Sequence, residues 1–245
     1  MPHQSPPMQP DPPTFSDPFT NPIWNALCSS HRRLALTQGL ARKYPADIAP
    51  FACVAQNTPS AFYDLRILME PGETTYVLGN PPPSMEGLQY RGVTPCLQMG
   101  FPERAPLPAL HATLPIYSLT CADAPAMVAL TDVAFPGFFR WRTCLMGSYF
   151  GIWHPTEPGK LIAMAGERLV LDPHREISGV CTHPDYRGQG LAASLTTHLL
   201  HHHRKTHARS VLHVVSTNQS AIRIYQRLGF ETLREVQLHR IKRAD

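Results

Sequence analysis

A chain of 245 residues with 43% hydrophobic and 16% charged content has the mass and composition of a globular protein with a real core. Its net charge of +4 comes from scattered basic residues, without the basic stripe that nucleic acid requires. No apolar run approaches the ~20 residues that span a bilayer, so neither nucleic acid nor membrane is expected as a partner.

The six cysteines, at 28, 53, 96, 121, 144 and 181, include no CxxC pair. That spacing argues against a disulfide framework or a structural zinc site and predicts reduced thiols. The N-terminus lacks a basic segment followed by an apolar core, so no secretory signal is read and the expected setting is cytoplasmic.

Residues 1–18 hold seven of the 26 prolines and read as a disordered leader. Asn21-Pro22 has the form of a helix N-cap followed by proline. Trp24, Leu27, Leu34, Leu36 and Leu40 fit a helical pattern that ends before Tyr44-Pro45. Strands are expected at 48–55 and 74–78, a helix at 61–69 between them, and a strand at 90–99 interrupted at Pro95. Residues 19–100 thus form a small α/β unit without a chemical motif, in which Asp64 and Glu73 read as solvated surface. Residues 101–113, again rich in proline, read as a linker.

Beyond the linker a strand at 116–120 precedes a helix at 123–135 and a helical segment at 138–146. Strands at 148–153 and 161–171 form a hairpin, the second long enough to be central. Another strand, ending Val180-Cys181-Thr182-His183-Pro184, runs into the glycine-rich turn Arg187-Gly188-Gln189-Gly190. A helix at 191–207, a strand at 211–216, a helix at 218–228 and a strand at 233–241 follow. A strand, a small-residue turn and a helix start expose unpaired backbone N–H groups to an anion. Glycines at 188 and 190 let a phosphate reach the main chain.

Arg187-Gly188-Gln189-Gly190-Leu191-Ala192 matches the (Gln/Arg)-x-x-Gly-x-(Gly/Ala) signature of the GNAT superfamily of acyl-CoA-dependent N-acyltransferases. The downstream segment Asn218-x-x-Ala221-Ile222-x-x-Tyr225-x-x-Leu228-Gly229-Phe230 is similar to that superfamily's second hallmark. The resemblance covers residues 114–245. It implies a mixed α/β fold, acetyl-CoA as co-substrate, no metal, and transfer of acetyl to a primary amine by direct attack in a ternary complex. The acceptor would be a small-molecule amine or a protein or peptide amine. The first unit could be a degenerate relative of the same fold, packed edge to edge and walling off the acceptor pocket. A non-catalytic acyl-CoA-binding or partner-binding module remains the alternative.

By the same resemblance, the cofactor's pyrophosphate would lie on Arg187, Gly188, Gln189, Gly190, Leu191 and Ala192. Its pantetheine arm would pair with backbone groups of Val180, Cys181 and Thr182, with Asn218 and Tyr225 nearby. Tyr225 would protonate the departing sulfur, although it also shares an apolar helix face with Ala221, Ile222 and Leu228. Asn218 serves equally as a helix cap. Glu176, eleven residues before Arg187, is placed like a general-base glutamate, and a salt bridge with its neighbours explains it as well; Glu167 is the understudy. Cys181 reads as a small buried residue rather than a nucleophile. The histidines at 198, 201, 202, 203 and 207 read as a solvated helix end rather than a metal grip. Phe138, Phe139 and Arg140 are expected to shape the acceptor pocket.

Overall fold

The computed structural model describes residues 18–245. The leader expected at 1–18 lies outside the described residues except for its last position. In chain order the elements are α1 (Pro22–Cys28), β1 (Leu36–Gln38), β2 (Ala41–Lys43), β3 (Phe51–Val54), α2 (Pro59–Leu68), β4 (Thr74–Leu78), β5 (Leu88–Gly100) and β6 (Tyr117–Leu119). Then come α3 (Ala124–Ala134), β7 (Tyr149–Trp153), β8 (Leu161–Leu171), β9 (His174–Thr182), α4 (Leu191–Lys205), β10 (Arg209–Val215), α5 (Gln219–Arg227) and β11 (Glu231–Arg243).

All eleven strands join one sheet in the order β1-β2-β3-β4-β11-β5-β10-β9-β8-β7-β6. Two neighbouring pairs are parallel, β3 with β4 and β9 with β10, and each is bridged by a helix, α2 and α4 respectively. Parallel neighbours require such a crossover. The centre of the sheet is exchanged between the halves of the sequence: β5 lies between β10 and β11, and β11 lies between β5 and β4. Hydrogen bonding therefore runs unbroken across the proline-rich segment 101–113. The strand at 88–100 also runs straight through Pro95, which lies opposite Gln237 one residue before the β10 register begins at Cys96.

Helix α4 shows why these residues take this shape. Leu191, Leu195, Leu199 and Leu200 form a stripe at helical spacing, are at most 2% exposed, and pack on Ile177 and Leu212 of the sheet. Burying one such leucine stabilises the fold by about 1.5–3 kcal/mol. The opposite sheet face carries a second core of Trp24 and Leu27 from α1, Phe51 from β3, and Leu169, Leu171 and Val211. Each face of the β9–β10 pair is thus covered by a different set of elements.

Several sequence expectations need correction. The helix expected from Trp24 to Leu40 stops at Cys28; a short turn at Arg32–Leu34 and the β1–β2 hairpin follow. Ser29-Ser30 and a left-handed Gly39 break the pattern, and the Asp64 carboxylate accepts the Leu40 N–H at 2.8 Å. Asp64 is therefore a structural acceptor rather than idle surface. Glu73 forms an ion pair with Lys43, whose side chain is 4% exposed, so it too is not solvated surface. At 138–146 only Thr143–Met146 is helical, because Thr143 accepts the Arg140 N–H and donates to the Ile48 carbonyl. Cys121 and Cys144 are joined by a disulfide, contrary to the expectation of six free thiols. Spacing along the chain cannot report that the turn before α3 and the turn before β7 approach each other.

Candidate active site

The parallel pairing of β9 with β10 ends at Ile177–Leu212. Beyond it Ser178, Gly179 and Val180 are only half-buried, while β9 stays paired with β8 as far as Thr182. The two strands diverge and leave a split. His183 donates its N–H to the Ile162 carbonyl on the β8 side. By strand alternation the backbone groups of Thr182 and Val180 point into the split. Gly179 takes φ +62° at the bulge where the divergence begins.

After the split the chain turns through His183 to Gly190. Gly188 and Gly190 adopt φ of +80° and +76°, and a Cβ at either would meet nothing within 4 Å. Gly190 is the N-cap of α4 without a side-chain cap. The first α4 turn thus presents N–H groups at the positive end of a fifteen-residue helix, with no side chain competing for them. Arg187, Gly188 and Gln189 are exposed beside that end, whereas Leu191 is buried beneath it. The donor set and the open approach fit a diphosphate. The corresponding turn of the first half differs: Thr58 caps α2 by accepting the Ala61 N–H, and Pro59 follows at the helix start.

Tyr225 lies on the α4–α5 side of the sheet, 8% exposed, with its ring edge-on to Phe230 at 5.9 Å. Burial pushes its phenol up to about 12. Burial likewise pushes the Cys181 thiol up to about 12, which suits a packed residue and not a nucleophile. Asn218 caps α5 by accepting the Ala221 N–H at 3.2 Å.

The opposite face holds the carboxylate. Glu176 is 1% exposed; its Oε2 accepts from Arg168 Nε at 3.0 Å, and its Oε1 accepts from Arg168 and from His213 Nδ1, the latter at 2.8 Å. Burial alone would raise its pKa, but the Arg168 guanidinium and His213 pull it down to about 2. His213 is the first β10 residue beyond the paired stretch, and its Nε2 lies 2.9 Å from Gln98 Nε2 on β5. Neither His213 nor Gln98 is singled out by sequence motif. An alternating strand does place His213 on the Val211 face, opposite Glu176, once the β9–β10 register is known.

Of the expected acceptor-side residues, Phe138 reaches this face. It stacks on Phe51 at 6.0 Å and meets Tyr76 at 4.9 Å, while the Arg168 guanidinium lies over Phe51 at 4.7 Å. Phe139 turns away into the α3 core beside Tyr149, and Arg140 donates to the Phe139 carbonyl. Glu167 lies on the other face, where its Oε1 pairs with the fully buried His203 at 2.9 Å. His203 is therefore not part of a solvated helix end; it falls four residues after Leu199 on the buried stripe. His198 and His202 pack edge-on against Phe150, and among the described residues no three His, Cys, Asp or Glu side chains form a metal-holding group. Among the same residues no helix is long and apolar enough to cross a membrane.

The model of the Acetyltransferase (GNAT) family matches residues 116–230. The [Ribosomal protein bS18]-alanine N-acetyltransferase of Escherichia coli K12 is 31% identical over 118 residues, covering 47% of this chain and 79% of that protein. A solved GNAT-family chain from Novosphingobium aromaticivorans is 30% identical with a TM-score of 0.83, covering 94% of this chain and all of that one. A GCN5-related N-acetyltransferase from Kribbella flavida shares the fold, at 18% identity and a TM-score of 0.62 over 93% of this chain.

Proposed function

Since this chain belongs to the GNAT family of acetyltransferases, we propose that it transfers acetyl from acetyl-CoA to a primary amine by direct attack in a ternary complex. The observation that carries this reading is the split beyond Ile177–Leu212, which opens beside the uncapped, glycine-lined start of α4.

In this reading Gly188, Gln189, Gly190, Leu191 and Ala192 hold the diphosphate through backbone N–H groups, and Arg187 adds a charged contact. The freed edge at Val180 and Thr182 pairs with the amide-bearing arm, Cys181 between them being turned back to β8, with Asn218 and Tyr225 at its α5 side. Acetyl-CoA supplies a thioester carbonyl and a thiolate leaving group. Tyr225 keeps its proton through the neutral range and serves as the acid for that thiolate. Glu176 acts as a fixed anion on the opposite face, and Phe138 with Phe51 and Tyr76 walls the approach of the acceptor. Phe139 and Arg140 support this wall from behind.

The acceptor we favour is the α-amine of a peptide or protein, because the bacterial relative's name gives an alanine of a ribosomal protein. The chemistry suits it: at pH 7 deprotonating an α-amine of pKa about 7.7–8.0 costs about 1 kcal/mol, against about 4.6 kcal/mol for a lysine amine.

The test is CoA release with a short peptide bearing a free N-terminal alanine, a lysine-type amine and a small alkylamine. Turnover with the peptide supports the reading. An enzyme that binds acetyl-CoA but turns over none of the three is instead a binding module.

A further inference from the structure

Removing a proton from the acceptor amine needs a basic lone pair, and the one that Glu176 has left over is a weak base. Its carboxylate is buried, takes three hydrogen bonds, and is neutralised by Arg168. The side chain that Glu176 holds is better suited. An anionic carboxylate can only accept, so His213 Nδ1 carries the hydrogen and Nε2 carries the lone pair. Gln98, with no exposed surface, points its Nε2 at that lone pair from 2.9 Å, and its own Oε1 is buried without a partner. A buried acceptor left unpaired is costly unless another state uses it. Turning the Gln98 amide over moves Nε2 off the imidazole and brings Oε1 onto it, which satisfies a protonated His213.

We propose that His213, rather than Glu176, accepts the acceptor's proton, with Glu176 fixing its tautomer and Gln98 switching from donor to acceptor as the imidazole becomes charged. This rests on the acetyl-transfer reading above. With the Gln98 amide turned away, the uncovered His213 Nε2 takes one proton from R–NH3+, directly or through one water, and Gln98 Oε1 then accepts the new N–H. The freed nitrogen pair forms the new C–N bond, and the C–S bond breaks with its electrons on sulfur. The nitrogen then loses a second proton while the thiolate gains one, so a single proton leaves in net, the one on His213.

The charged and titratable groups around His213 hold their state near neutrality. Glu176 stays anionic and Arg168 cationic. Burial pushes up the Cys96 thiol on β5 and the phenols of Tyr44 and Tyr149, so these stay protonated, and it lowers His31, which stays neutral. With the neighbours fixed, an acid limb in kcat/KM that His213→Gln removes, on a substrate whose own amine is common to both proteins, is assigned to position 213.

Three measurements decide the matter. Nitrogen-15 NMR of the free enzyme at neutral pH is expected to show His213 protonated at Nδ1 and not at Nε2; an Nε2–H tautomer overturns the assignment. His213→Gln, whose amide can still donate to Glu176, is expected to keep acetyl-CoA affinity, lose the acid limb, and drop kcat/KM by about 10²–10⁴-fold with the alanyl peptide. Added imidazole is expected to restore part of the activity of His213→Ala. Retention of the acid limb with kcat/KM within about threefold of wild type sinks the His213 role alone. A wild type that binds acetyl-CoA but acetylates no amine removes the acetyl-transfer reading together with it.

Discussion

Glu167 Oε1 and His203 Nε2 meet 2.9 Å apart between β8 and α4, and neither side chain is more than 6% exposed. The same carboxylate accepts the Ser148 N–H at 2.8 Å, and His203 Nδ1 lies 2.7 Å from the Ser210 hydroxyl. Burial raises the pKa of Glu167, but these partners outweigh it and the net direction is down. A carboxylate lowered on folding stabilises above its unfolded pKa and loses that contribution as pH falls. His203→Ala strands the carboxylate in the core, and the expected loss is about 3–5 kcal/mol by urea titration at pH 7. A midpoint unchanged from wild type would show that the pair is dispensable.

Glu176 gives a sharper pH dependence. Its pKa is lowered from 4.5 to about 2, so its stabilisation is complete above pH 4.5 and disappears between there and pH 2. At 1.36 kcal/mol per unit, the contribution is about 3 kcal/mol. Thermal melts from pH 6 to 2 are expected to show a steep acid limb that is flattened in Glu176→Gln. Parallel limbs in the two proteins contradict this.

The α4 cradle is tested at Gly190. With φ +76° and open space where a methyl would stand, alanine there meets no clash but strains the backbone by about 1–2 kcal/mol. Gly190→Ala is expected to weaken acetyl-CoA binding about tenfold, measured by calorimetry, with the fold intact by circular dichroism. Unchanged affinity places the diphosphate elsewhere.

Tyr225→Phe removes one buried hydroxyl and leaves the ring against Phe230. If the phenol protonates the leaving sulfur, kcat falls about 10²-fold or more while acetyl-CoA affinity holds. A change in melting temperature with kcat intact assigns Tyr225 to packing alone.

The Cys121–Cys144 bond is read out by thiol counting. Four of the six cysteines are free, so the unfolded, unreduced chain should titrate four thiols and the reduced chain six. Closing a loop of 23 residues is expected to stabilise by about 3 kcal/mol, lost in the Cys121→Ser, Cys144→Ser double variant. Six thiols before reduction means that the bond is absent.

Local chemistry made much of this chain legible. Period-two and helical patterns announced β4, β7, β8 and β9 and the three helices α3, α4 and α5, because each buries one face and so must repeat at its own period. The glycine turn was legible for a related reason: only glycine reaches φ near +80° without strain, so its position marks a special backbone. His203 is instructive in the other direction. Its place four residues after Leu199 already put it on the apolar stripe, and its polar character masked that periodicity.

Other features rest on encounters between distant residues. The exchange of β5 and β11 at the sheet centre, the Lys43–Glu73 pair and the Cys121–Cys144 bond join positions whose separation carries no periodic signal. The chain by itself determined the strand, the glycine turn and the helix that make the donor site, because those depend on near neighbours and on backbone freedom. Only the tertiary structure decided which groups stand opposite the donor. Strand register brings Arg168, His213 and Gln98 around Glu176, and the charge and hydrogen bonds of Arg168 and His213, outweighing burial, turn a carboxylate that reads as a base into a fixed anion.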